Sequence, residues 1–242
     1  MAFAKPEVEA IKQNGITKVA LPRLDEPDII PLWFGEGDRS TSEVIVAAAR
    51  AALDAGDTFY VHTRGRQNLR DALKRYLDGL YSVDIHPDRI TVPGSSMLAI
   101  TLGAQMALGR GDHGLIISPH WPNIENTMRV TGAEVSTVRQ RFEQGRWHLP
   151  VEDIAAAIRP NTRMIFVNTP CNPTGWVMRR DEQLALLELC RPRDILILAD
   201  EVYHRTVYSG EAAPSFLQVA SADDPVIVVS GFSKAWAMTG WR

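Results

Sequence analysis

A lysine stands among small and aromatic residues in the stretch SGFSKAWAMTGWR (230–242). This lysine, Lys234, follows the apolar run VIVV (226–229), which is typical of a buried strand. A lysine amine forms an imine with an aldehyde only when it is neutral, and an unperturbed lysine, with a pKa of ~10.4, is almost fully protonated at neutral pH. Partial burial and a nearby positive charge lower that pKa, and Arg242 could help to supply the charge. The stretch therefore indicates a nucleophilic amine.

Four other residues have chemistry that suits a cofactor bound to such an amine. Asp200 directly follows an apolar run, and its carboxylate suits a pyridine nitrogen that must stay protonated. Ser95 and Ser96 lead into a predicted helix, where backbone N–H groups, hydroxyls and the helix dipole favour a phosphate. Trp121 has a flat apolar face on which a ring can stack. Together with Lys234, these groups describe a site for pyridoxal 5′-phosphate.

Two kinds of hydrophobic pattern alternate along the rest of the sequence. Helical periodicity is found at 41–56, 68–80, 96–109 and 181–190. Short, nearly continuous apolar runs are found at 89–92, 115–118, 164–168, 195–200 and 226–230. Such runs are typical of strands buried on both faces, so the alternation predicts an α/β fold: a doubly wound, mainly parallel sheet with helices on both faces. The stretch 139–149 has a central glycine and predicts a hairpin.

A polar or aromatic stretch follows each predicted strand, namely PGSSM, PHWPN, TPCNPTG, DEVY and GFSK. In an open parallel sheet, ligands bind at the carboxyl ends of the strands, where loops from several strands converge. We therefore expect one crevice to contain the following residues: Ser95, Trp121, Asn172, Asp200, Tyr203 and Lys234.

These motifs, in this order, resemble those of the class I and II aminotransferases, a family of fold-type I pyridoxal-phosphate enzymes. SKAWAMTGWR (233–242) is similar to the Schiff-base signature of the family, and NTPCNPTG (168–175) is similar to its Asn-Pro-Thr-Gly element. LADEVY (198–203) resembles the segment that carries the aspartate of the pyridine nitrogen. PGSSM and PHWPN match the phosphate loop and the stacking aromatic. The resemblance covers nearly the whole chain, from about Gly35 to Arg242.

The resemblance implies catalytic roles for Lys234, Asp200 and Tyr203. It implies that the cofactor is bound by Tyr60, Ser95, Ser96, Trp121, Asn172, Asp200, Tyr203, Ser233, Lys234 and Arg242. In this set Asn172 and Tyr203 would contact the ring oxygen, and Arg242 the phosphate. Ser233 is included because Gly231 stands where the family often has a serine that contacts the phosphate.

Two further residues have roles that the resemblance alone implies. Gly37, in FGEGD (34–38), would lie against the substrate carboxylate. Tyr60, in FYVHTRGRQNLRDAL (59–73), would reach the phosphate of a neighbouring subunit, which implies a homodimer with shared active sites.

The activity implied is transfer of an amino group between an amino acid and a 2-keto acid through an imine on Lys234. The same scaffold serves β-elimination lyases that cleave C–S bonds, and the motifs do not separate these from aminotransferases. We predict an N-terminal arm and linker at 1–40 and a pyridoxal-phosphate-binding large domain at 41–242. Because the family continues past its phosphate-binding arginine, we expect the large domain to be incomplete and the small C-terminal domain, with its carboxylate-binding arginine, to be missing. For a natural chain that ended at Arg242, the alternatives are a non-catalytic cofactor-binding remnant and half of a split enzyme that needs a partner chain.

Composition excludes several other classes of protein. The 242 residues are 45% hydrophobic and 23% charged, which is typical of a globular protein, and a net charge of −3 argues against a nucleic-acid partner. No apolar run approaches the ~20 residues of a membrane span. The residues at the N-terminus have no apolar segment behind a basic head, so we expect no secretion signal. The two cysteines and scattered histidines form no metal motif. We predict a cytoplasmic protein without a metal.

Overall fold

A parallel five-stranded sheet is the centre of the computed structural model, which describes residues 3–241. Its strands lie in the order β2-β1-β5-β6-β7, and β3 and β4 form a separate antiparallel hairpin. The strands are β1 (His113–Ser118), β2 (Glu134–Arg139), β3 (Arg141–Glu143), β4 (Arg146–His148), β5 (Thr162–Asn168), β6 (Leu196–Asp200) and β7 (Val226–Val229).

Helices cover both faces of this sheet. They are α1 (Pro6–Glu9), α2 (Gly15–Ala20), α3 (Glu43–Asp54), α4 (Gln67–Tyr81), α5 (Ser96–Ala107), α6 (Asn123–Arg129), α7 (Val151–Ala157), α8 (Arg180–Cys190) and α9 (Phe232–Ala235). Four single 3₁₀ turns lie at Leu21–Arg23, Pro87–Arg89, Arg191–Arg193 and Phe216–Gln218. The four longest helices, α3, α4, α5 and α8, are the four that the periodicity predicted. No helix among residues 3–241 combines the length and the apolar composition needed to cross a membrane.

The central strands are apolar at consecutive positions because each face of the sheet has its own core. In β5, Ile165 and Val167 point into a cluster that includes Leu186 of α8. Met164 and Phe166 point to the opposite face, into a cluster with α5 and α6. Alternate side chains of one strand thus serve two cores, which confirms the predicted doubly wound α/β fold.

The predicted strand at 89–92 is wrong. Pro87–Arg89 form a 3₁₀ turn, and the extended residues that follow belong to neither sheet. The Val92 N–H donates to the Arg64 carbonyl at 3.0 Å, and the guanidinium Nε of Arg70 donates to the Ile90 carbonyl at 2.9 Å. In the described chain the backbone of this run is therefore paired with a loop carbonyl and a side chain, and no strand lies beside it.

Strand β2 was missed by the sequence analysis, whereas the predicted hairpin is present as β3 and β4. β2 lies at the edge of the sheet and buries only Val138 fully. An edge strand contacts the core on fewer sides, so its sequence, EVSTVR, shows no continuous apolar run. Its pairing with β1 depends on tertiary structure.

Residues 1–40 are less irregular than predicted within the described range. Helix α2 begins after Asn14, whose side chain accepts a hydrogen bond from the Ile16 N–H at 2.9 Å. The Asn14 amide also donates to Asn123 Oδ1 of α6 at 2.8 Å. The segment is therefore held against α6 by side-chain contacts.

Candidate active site

The carboxyl ends of the parallel strands lie side by side at one edge of the sheet. Asn168 of β5 is paired with Asp200 of β6, and Asp200 is paired with Val229 of β7. Backbone hydrogen bonds continue past these ends, from the Thr169 N–H to the Asp200 carbonyl and from the Glu201 N–H to the Val229 carbonyl. The loops that follow β5, β6 and β7 therefore start from adjacent points, as predicted.

Asp200 is a buried carboxylate, 5% exposed, at the centre of this edge. Its Oδ1 accepts one hydrogen bond, from the Val202 N–H at 3.2 Å. Burial raises the pKa of the Asp200 carboxyl from its ordinary value of 3.8 to about 7, although the Val202 N–H and the positive charge of Lys234 both lower it. A carboxylate in such surroundings is stabilised by a cation placed next to it.

Asn172 and Tyr203 approach each other beside this carboxylate. The Asn172 amide donates to Tyr203 Oη at 3.5 Å, a long hydrogen bond. Burial, and then the charge of Asp200, raise the pKa of the Tyr203 phenol, while the Asn172 amide lowers it. Asn168 holds the pair in place, because its Oδ1 accepts from the Asn172 N–H at 2.6 Å and its amide donates to the Asp200 carbonyl at 2.9 Å.

Lys234 lies on the one-turn helix α9, directly after β7. Its Nζ donates to the Gly35 carbonyl at 2.7 Å and lies 5.5 Å from the centre of the Tyr203 ring. A Cβ on Gly35 would clash with Tyr203 Oη, so a larger residue where this segment crosses the tyrosine would displace the phenol. The amine, which follows β7, thus lies near the phenol, which follows β6 only three residues after the Asp200 carboxylate.

Two serines mark the beginning of α5, as the sequence predicts for a phosphate site. Ser95 is the N-cap and its Oγ accepts from the Leu98 N–H at 3.1 Å. The Ser96 hydroxyl donates to the Ser230 carbonyl at 2.9 Å. A Cβ on Gly231 would lie 2.3 Å from Ser96 Oγ, so this hydroxyl occupies the space of any side chain at 231. The structure thereby explains the glycine at that position.

The other residues predicted for the site do not all lie beside Lys234 and Asp200. Trp121 is half-buried and packs against the core beneath α5 and α6. Gly37 lines a cavity of about 1310 Å³ together with Tyr203, Ser233 and Lys234. Tyr60 is fully exposed and takes no part in the site of its own chain. Arg242 lies outside the described residues.

Three residues around the site were missed by the sequence analysis: Gly35, Asn168 and His204. The sequence could have indicated Asn168, because a polar residue at the end of a buried strand needs a hydrogen-bond partner there. The contact of Gly35 with Lys234 joins residues 199 positions apart, so only the tertiary structure shows it. His204 is 3% exposed and directly follows Tyr203. The residues around it in the sequence form no pattern that predicts its burial.

The chemistry of this set of groups fits pyridoxal 5′-phosphate. A buried carboxylate with a raised pKa matches a protonated ring nitrogen, and an amide beside a phenol matches the ring oxygen. Lys234 has an amine, the group that an aldehyde requires, and the N-terminus of the twelve-residue α5 is of the kind that favours a phosphate. Within residues 3–241 no three His, Cys, Asp or Glu side chains are grouped as metal ligands would be.

Comparisons with known proteins point to one family. The family model described as aminotransferase class I and II matches residues 28–242. The aspartate aminotransferase of Thermotoga maritima is 32% identical over 215 residues, which is 89% of this chain and 56% of that protein. The aspartate/prephenate aminotransferase of Thermus thermophilus is 34% identical over 239 residues, which is 97% of this chain and 61% of that protein.

The fold comparison agrees with these matches. The solved structure of aspartate aminotransferase from Thermus thermophilus with maleate superimposes with a TM-score of 0.91 and 31% identity, over all of this chain and 63% of that one. The chain thus spans 56 to 63% of the length of these relatives. With a family model matched over most of its length and a site of fitting chemistry, the chain belongs to the class I and II aminotransferases, a family that uses pyridoxal 5′-phosphate.

Proposed function

We propose that this protein is a pyridoxal-phosphate-dependent aminotransferase that moves an amino group between an amino acid and a 2-keto acid. The observation that carries the proposal is the meeting of Lys234, Asp200 and Tyr203 at one edge of the sheet, with Lys234 Nζ 5.5 Å from the Tyr203 ring. The segments that follow β6 and β7 bring together there groups that suit one cofactor. The relatives named above are aminotransferases, which supports amino-group transfer over the elimination chemistry that the motifs leave open.

In this proposal the cofactor is held along its whole length. Lys234 would hold it covalently, Asp200 would pair with the ring nitrogen, and Asn172 and Tyr203 would bind the ring oxygen. Trp121 would stack on the ring, and the phosphate would be bound by Ser95, Ser96, Ser233 and Arg242. When bound, the cofactor supplies an electron sink for the bonds at the α-carbon of the amino acid.

The residues of the chain would do the remaining work. Lys234 Nζ would move the proton at the substrate's α-carbon, and the Gly35 carbonyl would orient that amine, as it does at 2.7 Å in this structure. The positive charge of the cofactor's ring nitrogen would favour the ionised form of Asp200. It would thereby oppose burial, which raises the pKa of this carboxyl. Gly37 lines the same cavity as Lys234 and leaves open space for a substrate carboxylate.

The proposed assembly is a homodimer in which Tyr60 contacts the phosphate of the neighbouring site. Its full exposure supports that role, because the ring has no packing partner of its own. Residues 41–242 would form the cofactor-binding domain, with 1–40 as an arm that lies against α6. Sedimentation of the wild type and of Tyr60→Ala would test the dimer and the contribution of this ring to it.

Mapping the site of covalent attachment tests the function directly. The chain is incubated with pyridoxal 5′-phosphate, reduced with borohydride, digested and analysed by mass spectrometry. We expect the adduct on Lys234 and none in Lys234→Ala, whereas Lys18→Ala, which removes an exposed lysine of α2, should be modified like the wild type. An adduct spread over surface lysines would contradict the proposal.

A second assay separates the two chemistries that the motifs allow. Loss of an amino acid that depends on added 2-keto acid indicates amino-group transfer. Release of pyruvate and ammonia from a single amino acid, without a keto acid, would indicate a lyase instead. We expect the first result, and its loss in Lys234→Ala.

A further inference from the structure

His204 is a buried imidazole that directly follows Tyr203 and connects three parts of the chain. Its Nε2 lies 3.0 Å from Tyr76 Oη of α4. Its Nδ1 lies 3.2 Å from the Glu201 carbonyl and 3.3 Å from Ser230 Oγ, just beyond the end of β7. Both ring nitrogens therefore have partners, one from a helix and the other from the edge of the sheet that carries the site.

The partners determine the tautomer of this ring. A carbonyl oxygen only accepts hydrogen bonds, so the proton must be on Nδ1 to bond with Glu201. Nε2 then has a lone pair, and the Tyr76 hydroxyl must donate to it. Burial lowers the pKa of His204, and Arg205 lowers it further, although the Glu201 carbonyl acts in the opposite direction, so the neutral ring is favoured.

The same ring packs against Trp236, two residues after Lys234. Trp236 immediately follows α9, and its ring centre lies 6.1 Å from that of His204 and 5.4 Å from that of Tyr76. Phe232, the first residue of α9, lies 5.5 Å from Trp236. These aromatic rings therefore connect α4, the loop after β6 and both ends of α9.

Helix α9 needs such support because it has little stability of its own. It has four residues, none of them fully buried, and no side chain caps its N-terminus. Helices of this length are not stable without tertiary contacts. The position of Lys234 on α9 thus depends on the packing of Phe232 and Trp236 against their neighbours.

We propose that His204, as the neutral Nδ1–H tautomer donating to Glu201 and accepting from Tyr76, is a positioning residue that holds Lys234 against the Gly35 carbonyl. The inference rests on the proposed function, since it concerns the amine that would carry the cofactor. His204 touches no reacting atom. It acts through Trp236 on one side and through Tyr203, its neighbour in sequence, on the other.

The tautomer can be measured in the cofactor-free chain by long-range ¹H–¹⁵N NMR of the histidine rings. We expect one histidine resonance pattern with a protonated Nδ1 and an unprotonated Nε2, absent from His204→Phe. In Tyr76→Phe the Nε2 resonance of that histidine should move, because its donor is lost. A pattern with the proton on Nε2 would overturn the proposal.

Positioning of the amine is measured by the rate at which acetic anhydride acetylates Lys234 in the same cofactor-free chain, followed by peptide mapping. Loss of one hydrogen bond of ordinary net strength changes an equilibrium about fivefold. We therefore expect Lys234 to be acetylated about fivefold faster in Tyr76→Phe and in His204→Phe. The double variant should react no faster than His204→Phe, since loss of the imidazole already removes the bond that Tyr76→Phe removes.

A second buried histidine provides the matched control. His113 is fully buried, with Thr162 Oγ1 at 2.7 Å and Ser136 Oγ at 2.8 Å, at the opposite end of the sheet. His113→Phe should lower stability in urea without changing the acetylation of Lys234. Equal acceleration in His113→Phe and His204→Phe, or no acceleration in His204→Phe and Tyr76→Phe, would overturn the proposal.

These measurements use no cofactor, so they also separate two kinds of failure. If pyridoxal 5′-phosphate does not attach to Lys234 in the wild type, the proposed function fails whatever the acetylation rates show. If attachment is normal but acetylation is unchanged in the variants, the role of His204 fails alone. Should His204→Phe not fold, Tyr76→Phe still removes the bond while leaving the imidazole in place.

Discussion

Replacing Asp200 with asparagine should stabilise the cofactor-free chain at pH 8. The substitution keeps the shape of the side chain and an Oδ1 that can accept from the Val202 N–H. It removes a carboxyl whose pKa burial raises to about 7 from an ordinary 3.8. The wild-type chain must ionise this group in a buried position or keep it protonated, and both cost free energy at pH 8.

The magnitude follows from the pKa difference between the folded and unfolded chain. Below pH 3.8 both states are protonated and the carboxyl has no effect. As the pH rises to about 7, the unfolded chain ionises while the folded chain stays protonated, so the free energy of unfolding falls by up to about 1.4 kcal/mol per pH unit. A difference of roughly three units corresponds to about 4 kcal/mol as an upper bound at pH 8.

Urea unfolding followed by circular dichroism at pH 5, 6, 7 and 8 measures this effect. Between pH 5 and 8 the stability of the wild type should fall more steeply than that of Asp200→Asn, and the variant should be the more stable at pH 8. Asp25→Asn removes an exposed carboxyl and should follow the wild type at every pH. Equal pH dependence of wild type and Asp200→Asn, or a less stable variant at pH 8, would refute the reasoning.

The same substitution should have the opposite effect on cofactor binding. An amide cannot pair with a protonated ring nitrogen as a carboxylate does, so Asp200→Asn should bind pyridoxal 5′-phosphate more weakly than the wild type. Fluorescence titration at pH 8 measures the affinity. If Asp200→Asn were more stable than the wild type and bound the cofactor equally tightly, the outcome would contradict a pairing of Asp200 with the ring nitrogen.

Three further predictions concern packing around the site and the core. Gly231→Ser should lower the free energy of unfolding by about 1–2 kcal/mol in urea, because its Cβ would lie 2.3 Å from Ser96 Oγ and displace that hydroxyl from its bond. Cys190, whose pKa burial raises to about 12, should react with a disulfide reagent at pH 8 only when the chain unfolds. Arg70→Ala should lower the free energy of unfolding by about 2–4 kcal/mol, because the buried Ile90 carbonyl loses its charged donor.

The two substitutions have controls within the chain, and the prediction for Cys190 has an outcome that would contradict it. In a Ser96→Ala background Gly231→Ser should have little further effect, because the hydroxyl that it would displace is already absent, and Gly15→Ser, where a Cβ meets nothing within 4 Å, should also have little effect. Arg75→Ala removes an exposed arginine from the same helix as Arg70 and should be nearly neutral. Reaction of Cys190 at a rate independent of added urea would show that the thiol is accessible in the folded chain.

Much of the fold was predictable because central parallel strands have nearly continuous apolar runs in the sequence. The runs around Phe166 and Leu198 are apolar at consecutive positions since both faces of the sheet are covered. The same rule failed at Ile90 and Val92, which are apolar and β-branched but have no strand beside them in the described chain. Apolar composition predicts burial, whereas strand pairing needs a partner that sequence patterns do not identify.

For the candidate site, the sequence by itself determined which chemical groups follow which strands, since the carboxyl ends of parallel strands meet at one edge. It therefore placed Lys234 and Asp200 in one crevice, while the roles of the individual residues remain predictions. Only the tertiary structure decided the surroundings of these groups: the burial that raises the pKa of Asp200, the Gly35 carbonyl on the amine, and the packing of His204 beside α9. Burial and hydrogen-bond partners depend on segments up to 199 residues apart, and such contacts leave no local pattern in the sequence.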